Sequence, residues 1–306
     1  MRRKWIVVGI GGLLAAGVIV EVASALLAPV GVKTTRAMEQ QPAASGTWVA
    51  WAQNRPGTSR FDAYVQNGSN PRVKVNSTGY AFPGGFDGST LVYQRIDSHG
   101  SDIKLYDVNS LAHSNPPAGV NTLSWEWNPS LSGGWLLFGR ENPNTQPIAD
   151  RILLRNLGSN ETRVLDEQVG RPNKVLYPGQ VNGDYAVWDS WTPSTNLDNV
   201  RRYQISTSTR VPLPLPTGRL QYGASVASDG RVFYTRGRSL CGHGAVLREW
   251  APAPASIDTA LFAFPPGYDS LKSYYDESTS TLYFDRVKCT NGDWYGAWNI
   301  YKVVIP

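Results

Sequence analysis

The sequence predicts an all-β protein that folds as a six-bladed β-propeller of four-stranded antiparallel blades. Three observations support this fold class. The 306 residues are rich in Gly (30), Pro (21), Trp (11) and Tyr (15), which is a composition of strands and turns. After residue 40 no long stretch places apolar residues at helical spacing. A strand-like pattern also occurs six times along the chain at a nearly constant interval.

Each copy of the pattern is an apolar run that ends in an aromatic residue, which we call the anchor of its unit. The runs are TWVAW, TLVY, WLLF, YAVW, RVFY and TLYF, and their anchors are Trp51, Tyr93, Phe138, Trp188, Tyr234 and Phe284. Successive anchors are 42, 45, 50, 46 and 50 residues apart, a spacing that fits one four-stranded blade per unit. Two tandem β-sandwiches, the alternative fold, would not produce a sixfold period.

The other strands of each unit are predicted from their positions around the anchor. A turn such as Asp87-Gly88 or Asn182-Gly183 precedes the anchor run and closes a hairpin, because Gly and Asn tolerate a positive φ. A polar loop follows the anchor and leads to a third strand, as in DIKLYDV and NIYKVV. A fourth strand follows in most units, as in RVKV and TRVL.

The two ends of the chain predict how the ring closes. The sixth unit has a third strand but ends at Pro306, before a fourth strand could follow. The fourth strand of the first unit ends 18 residues before the second anchor, and the same distance before Trp51 falls on Lys33. We therefore expect Val32 to Thr35 to pair with the last blade and close the ring, which removes two exposed strand edges.

Three hairpin units resemble those of a known family. The segments FDGSTLVYQRIDSHGSDIKLYDV, ASDGRVFYTRG and VNGDYAVWDS are similar to the units of secreted TolB-like β-propellers, which combine a turn, an apolar run with a terminal aromatic, a polar loop and a third strand. The resemblance implies a six-bladed propeller that serves mostly as a binding scaffold. The same fold also hosts enzymes, so the resemblance does not assign an activity.

The first 25 residues are predicted to be a signal peptide, and residues 26–306 to be the propeller. A basic MRRK segment precedes sixteen apolar residues, and Ala23-Ser24-Ala25 supplies the small residues of a cleavage site. An uncleaved membrane anchor is the alternative. Both interpretations indicate a secreted or cell-envelope protein, for example a periplasmic one. Removal of the segment takes three basic residues and one acidic residue from the formal charge of +5 and leaves +3, so nucleic acid is a poor candidate partner.

Cys241 and Cys289 are the only cysteines, and they occupy equivalent loops after the anchors of units five and six. Adjacent blades bring those loops together, and an exported protein meets oxidising conditions, so we expect a disulfide. Free thiols are the alternative. His243 is the only other soft ligand nearby and does not complete a metal set. The sequence therefore predicts neither a metal nor a cofactor.

Four of the six residues that lie two positions after an anchor are arginines: Arg95, Arg140, Arg236 and Arg286. On one face of the ring they could bind a carboxylate or a phosphate. The alternative is a set of ion pairs within each hairpin, because Asp102, Asp150 and Asp293 begin the partner strands of three of them. Arg236 has no such Asp in its hairpin, so we expect it to be the better anion-binding candidate.

Aromatic and acidic residues in the loops after the anchors are further candidates. Trp191, Trp294 and Tyr295 could stack on sugar rings or contact a partner protein, although a loop Trp often packs against its own blade. Asp189, Asp198, Asp285 and Asp293 lie in loops where a pair of carboxylates could hydrolyse a glycan. Acidic residues are also common in turns.

The sequence predicts no catalytic residues by motif. It contains no Gly-x-Ser-x-Gly, His-Glu-x-x-His or phosphate-binding glycine motif. We therefore expect a non-catalytic binding or scaffold protein, which presents its loops to a protein or glycan partner in the cell envelope or outside the cell. The alternative is an extracellular glycan hydrolase or lyase that uses the same face.

Overall fold

The computed structural model describes residues 27–142, 149–170, 174–192, 197–214, 218–239, 241, 244–252, 257–290 and 297–306. Within these ranges twenty-five strands form six antiparallel sheets, and a single 3₁₀ turn interrupts them. The fold is the predicted six-bladed β-propeller. None of the described residues forms a helix that is long and apolar enough to cross a membrane. The predicted signal peptide lies outside the described residues.

Each blade runs from an inner strand at the channel to an outer strand at the rim. The N-terminal strand and the first three blades comprise β1 (Val30–Lys33), β2 (Glu39–Ser45), β3 (Trp48–Asn54), β4 (Phe61–Asn67) and β5 (Val73–Lys74), then β6 (Tyr80–Asp87), β7 (Thr90–Asp97), β8 (Gly100–Asp107) and β9 (Ala112–Ser114), then β10 (Trp125–Ser132), β11 (Trp135–Asn142), β12 (Ala149–Asn156) and β13 (Thr162–Val169).

The remaining strands form blades four, five and six. They are β14 (Val175–Asn182), β15 (Tyr185–Thr192), β16 (Leu197–Gln204) and β17 (Thr209–Pro212), then β18 (Leu220–Val226), β19 (Val232–Gly237), β20 (Val246–Trp250) and β21 (Asp258–Ala263), then β22 (Tyr268–Asp269), β23 (Ser273–Asp276), β24 (Thr281–Lys288) and β25 (Trp298–Val304). The inner strand of blade six is divided into β22 and β23, both of which pair with β24.

The N-terminal strand closes the ring, as the sequence predicts. β1 pairs antiparallel with β25 and supplies the outer strand that blade six lacks. The paired segment begins at Val30, two residues earlier than predicted. The ammonium group of Lys33 lies 4.3 Å from the ring centroid of Trp51, so the closing segment also contacts the anchor of blade one.

The hydrophobic core lies between the blades. All six anchors are at least 97 % buried, and the buried apolar residues form five clusters that each join neighbouring blades. In one of them Tyr274 and Tyr283 of blade six pack with Ala43 of blade one. Burial of apolar surface between blades is the main force that holds such a ring together, and the contact between blades six and one shows that this ring is closed.

The inner strands of blades one to five each change register near the channel. A bulge of this kind leaves backbone N–H groups outside the sheet ladder. The side chain that directly follows an anchor can accept from them across the gap between blades. Gln94 accepts from the Asn128 amide at 3.3 Å, and Asp189 accepts from the Gly223 amide at 2.8 Å.

Candidate binding site at the centre of the ring

A cavity of about 460 Å³ lies in the channel at the centre of the ring. The inner strands of blades one, three, four and five line it, together with Leu271 and Lys272 between the two inner segments of blade six. Trp191, Asp198 and Trp298 reach it from the hairpin ends that follow the anchors of blades four and six. The cavity therefore opens on the face where the sequence predicts the recognition loops.

Buried polar side chains join the inner strands beyond the cavity and form its floor. The side-chain amide of Gln180 in blade four donates to the Tyr275 carbonyl of blade six at 2.8 Å, and its oxygen accepts from the Tyr275 amide at 3.0 Å. The Tyr274 hydroxyl accepts from the Phe86 amide of blade two at 3.0 Å. These bonds connect blades across the channel next to the cavity, which we call the funnel.

Asp189 is held rigidly at the wall of the funnel. One of its oxygens accepts from the Gly223 amide at 2.8 Å and the other from the Ala224 amide at 3.3 Å. Gly223 has a φ of +67°, and a side chain there would lie 2.9 Å from the Leu271 backbone. Burial raises the pKa of Asp189 to about 6, against the lowering effects of the Gly223 amide and the Lys272 charge.

Asp285 follows the anchor of blade six and has a similar role. Its carboxylate accepts from the Leu271 amide at 2.8 Å and from the Lys272 amide at 3.1 Å, so it holds the break in the inner strand of that blade. Burial raises the pKa of Asp285 to about 6, although these amides favour its charged form.

Lys272 projects its ammonium group toward the inner strand of blade four. The group donates to the Pro178 carbonyl at 2.8 Å and to the Gly179 carbonyl at 3.5 Å. Burial lowers the pKa of Lys272 to about 8, while the charges of Asp189 and Asp285 act in the opposite direction. The cavity thus contains a positive charge whose hydrogen bonds go to backbone carbonyls.

Asp198 differs from the other two cavity carboxyls. It is only 2 % exposed, and its Oδ1 has no hydrogen-bond partner among the described residues. Burial, reinforced by the negative charge of Asp189, raises the pKa of Asp198 to about 9. Of the two carboxyls, Asp198 is therefore the one that more strongly favours the protonated form.

Aromatic side chains surround these polar groups. Tyr177 is 40 % exposed, whereas Trp298 and Tyr222 are buried, and Trp191 is intermediate. The Tyr222 hydroxyl donates to Asp269 at 2.7 Å, and Asp269 also accepts from the Cys241 amide at 2.7 Å. Burial raises the pKa of Asp269 to about 6. This network connects the cavity wall to the loop that carries the disulfide.

The disulfide predicted from the sequence is present. Cys241 and Cys289 are joined with a Cα–Cα distance of 5.4 Å, and they link the loops of blades five and six. Within the described part of the chain, no group of three or more His, Cys, Asp or Glu side chains is arranged to hold a metal ion.

The four arginines at the shared position are each held within their own blade. Arg95 lies 3.0 Å from Asp97 and 3.9 Å from the predicted partner Asp102. Arg140 pairs at 2.9 Å with Glu126 of the inner strand, and not with Asp150 as its hairpin suggested. The reason is the position of Glu126, which directly opposes Arg140 across β10 and β11.

Arg236 has no Asp in its hairpin, but it pairs with an acidic residue elsewhere in its blade. Its guanidinium lies 2.5 Å from Asp258, which begins the fourth strand of the blade and therefore could not be identified from the hairpin alone. The guanidinium of Arg286 lies 4.0 Å from the ring centroid of Tyr301. None of the four arginines lines the central cavity, and a role in ligand binding remains a prediction for them.

The structure brings together several of the other predicted residues. Asp189, Asp198, Asp285 and Trp191 all line the central cavity. Trp294, Tyr295 and Asp293 lie outside the described residues. Sequence reasoning missed Lys272 and Trp298. Lys272 lies in a break of the inner strand that has no counterpart in the other units. Trp298 directly precedes the predicted strand NIYKVV, and no role was predicted for it.

No model of a known protein family and no curated protein matches the sequence. Solved structures do match. The β-propeller domain of the Trilobed protease from Pyrococcus furiosus has a TM-score of 0.54 and 10 % identity over 88 % of this chain and 96 % of that one. A putative TolB from Agrobacterium tumefaciens has a TM-score of 0.56 and 12 % identity, and the match covers 89 % of this chain and 92 % of that one. An oligogalacturonate lyase in complex with manganese has a TM-score of 0.55 and 10 % identity, and the match covers 92 % of this chain and 97 % of that one. The likeness concerns the fold alone, and the TolB-like propeller fold is thereby confirmed.

Proposed function

We propose that this TolB-like propeller is an exported, non-catalytic binding protein that takes a protein or glycan ligand into its central cavity. The observation that carries the proposal is the funnel itself: a cavity of about 460 Å³ whose wall combines aromatic side chains with three carboxyl groups and one ammonium group. Small-molecule and terminal-group binding sites typically have this size and composition. The cell envelope or the outside of the cell is its proposed location, on the basis of the N-terminal sequence and the disulfide.

The state of the carboxyl groups supports binding over catalysis. A glycoside hydrolase needs two carboxyl groups that both face the substrate. Both oxygens of Asp189 already accept from the Gly223 and Ala224 amides, and Asp285 accepts from two amides and from the Ser270 hydroxyl at 3.3 Å. Asp198 is the one cavity carboxyl, among the described residues, that has a fully buried oxygen without a partner.

A glycan hydrolase or lyase is the second candidate, and one observation favours it. Asp189 lies opposite Val200, and Asp198 lies opposite Trp191, so the two carboxyls are diagonal neighbours on one face of blade four. Their pKa values are separated, with Asp198 the higher. A protonated and an ionised carboxyl side by side can act as general acid and base. The oligogalacturonate lyase of similar fold is a precedent for glycan chemistry on such a ring.

A glycan-binding screen combined with a hydrolase and lyase screen tests the proposal. We expect binding without turnover, and we expect the Trp191→Ala variant to bind about tenfold more weakly, because a stacked aromatic contributes more than about 1 kcal/mol. Trp125→Ala is the matched control, since Trp125 is 51 % exposed and lines a different cavity. Turnover that Asp189→Asn or Asp198→Asn abolishes would show that the protein is an enzyme.

A further inference from the structure

The Oδ1 atom of Asp198 is buried and has no hydrogen-bond partner among the described residues. Buried polar atoms in proteins nearly always have hydrogen-bond partners, so an exception calls for an explanation. Of the described side chains that line the funnel, Asp198 alone has a buried oxygen with no partner. The residue is 2 % exposed and borders the cavity. A donor group on a ligand would supply the missing hydrogen bond.

The charges around Asp198 favour a donor that is positively charged. Asp189 on β15 contributes a negative charge, and it is the diagonal neighbour of Asp198 on the same face of blade four. Lys272 is the one cationic side chain among the described residues that line the cavity. Its ammonium group already donates to the Pro178 and Gly179 carbonyls. Asp285 adds a second negative charge, so two carboxylates and the carboxyl of Asp198 border the funnel against a single ammonium group. A second cation would offset the excess negative charge.

The aromatic walls also suit a cation. Tyr177, Trp191, Tyr222 and Trp298 border the same space as Asp198. The faces of Tyr and Trp rings attract ammonium groups, and aromatic cages with a carboxylate are a recurrent solution for binding organic cations. Flat ring faces also stack on the apolar face of a sugar. A compact ring that carries an ammonium group combines both features.

We infer that the central cavity binds the protonated primary amine of an amino sugar, with Asp198 as its carboxylate partner. This inference rests on the proposed binding function and specifies the class of its ligand. The ammonium group donates to Asp198 Oδ1, and the sugar ring lies against the aromatic wall. When the ammonium ion binds, the carboxylic acid of Asp198 loses its proton to solvent. The resulting carboxylate forms an ion pair with the ammonium ion, and one proton is released for each ligand bound.

Because Asp198 releases a proton when the amine binds, the affinity for the amine should depend on pH. Below its raised pKa, Asp198 is protonated, and a proton competes with the cation. The groups that face Asp198 from neighbouring strands are Tyr177 on β14, Asp189 on β15 and Tyr222 on β18, together with Lys272. The two tyrosines stay neutral near pH 7, since their pKa values are raised above 10. Affinity for a permanently protonated amine should therefore rise from about pH 6 to about pH 8, by at most about tenfold per unit.

Calorimetry on the full chain tests the inference with two matched probe pairs. Glucosamine and N-acetylglucosamine share a ring but differ in the charge of the nitrogen, and cyclohexylamine and cyclohexanol differ in the same way at a higher amine pKa. We expect the charged member of each pair to bind at least about tenfold more tightly. We expect cyclohexylamine to release protons, measured in two buffers of different ionisation enthalpy, and its affinity to rise with pH.

The variant Asp198→Asn should lose the preference for the amine and its pH dependence. Asp150→Asn is the control, because Asp150 also has a buried oxygen without a partner but lines another cavity with Trp127. The probe and pH comparisons on the unaltered protein do not depend on how either variant folds. Equal or tighter binding of N-acetylglucosamine would overturn the amine inference and leave the binding function intact. If none of the probes binds but other glycans do, the inference also fails, and if no ligand binds at all, both proposals fail.

Discussion

At the residue scale, the same type of side chain has two different roles around the channel. Asp189 and Asp285 directly follow their anchors, and their oxygens accept from inner-strand amides. Gln94 has the same position and the same role in blade two. Asp198 comes from the third strand of its blade, where no inner-strand amide reaches its Oδ1. The carboxyls that follow anchors therefore have a structural role, and Asp198 is the carboxyl that we propose as the ligand's partner.

Stability should depend on pH through Asp198. Its pKa is about 9 in the folded protein and 3.8 as a free side chain, so between these values the folded state holds a proton that the unfolded state releases. Its contribution to stability is therefore complete below about pH 4 and is lost as the pH rises toward 9. The loss is about 1.4 kcal/mol per pH unit within this window.

The Asp198→Asn variant measures this contribution directly. Urea unfolding at about pH 7 and about pH 8 should show the variant gaining up to about 1.4 kcal/mol relative to the unaltered protein. Lys272, whose pKa is lowered to about 8, is present in both proteins, so its own titration cancels in the comparison. A difference in unfolding free energy that does not change with pH would show that Asp198 is ionised in the folded state.

The sequence predicted some of these residues better than others. Asp189, Asp198 and Asp285 were identified because loops that follow equivalent anchors must lie on one face of a ring. Lys272 was missed because its position depends on a break in one inner strand. The partners of Arg140 and Arg236 were missed because Glu126 and Asp258 belong to the first and fourth strands, whose register the hairpin sequence does not determine.

At the element scale, the period of the anchors was sufficient to place the hairpins. Each anchor lies on the second strand of its blade, because a run with an apolar residue at every position is buried on both faces between neighbouring blades. The inner-strand bulges and the division of β22 from β23 were not predicted. Their positions depend on contacts around the channel between residues that are distant in sequence.

Removal of the closing strand should destabilise the ring. β1 pairs with β25 at three positions, Val32 packs against the cluster shared by blades one and two, and Lys33 lies over Trp51. A chain that begins at residue 37 should be less stable by about 3 kcal/mol, at about 1 kcal/mol for each lost backbone pairing, and should aggregate through the exposed edge of β25.

The control for this deletion is a chain that begins at residue 26. It keeps Leu27, whose amide donates to the Leu261 carbonyl of blade five at 2.9 Å, as well as all of β1. Thermal unfolding should distinguish the two chains clearly. An equal melting temperature for both would mean that pairing of β1 with β25 adds nothing to stability.

At the scale of the whole molecule, ring closure is what creates the site. The funnel takes residues from five of the six blades, so no single blade contains it, and the floor depends on bonds between blades two, four and six. β1 and the disulfide between blades five and six stabilise the side of the ring where Lys272 and Trp298 lie. A rigid ring of this kind keeps the few polar groups of a binding site in place.

The most direct test of the account is a crystal structure of the full chain with bound glucosamine. We expect the sugar in the central funnel, its nitrogen within hydrogen-bond distance of Asp198 Oδ1 and its ring against Trp191 or Trp298. The six blades and the pairing of β1 with β25 should be unchanged. Glucosamine bound only on the outer surface at saturating concentration, with the funnel left unfilled, would contradict the account.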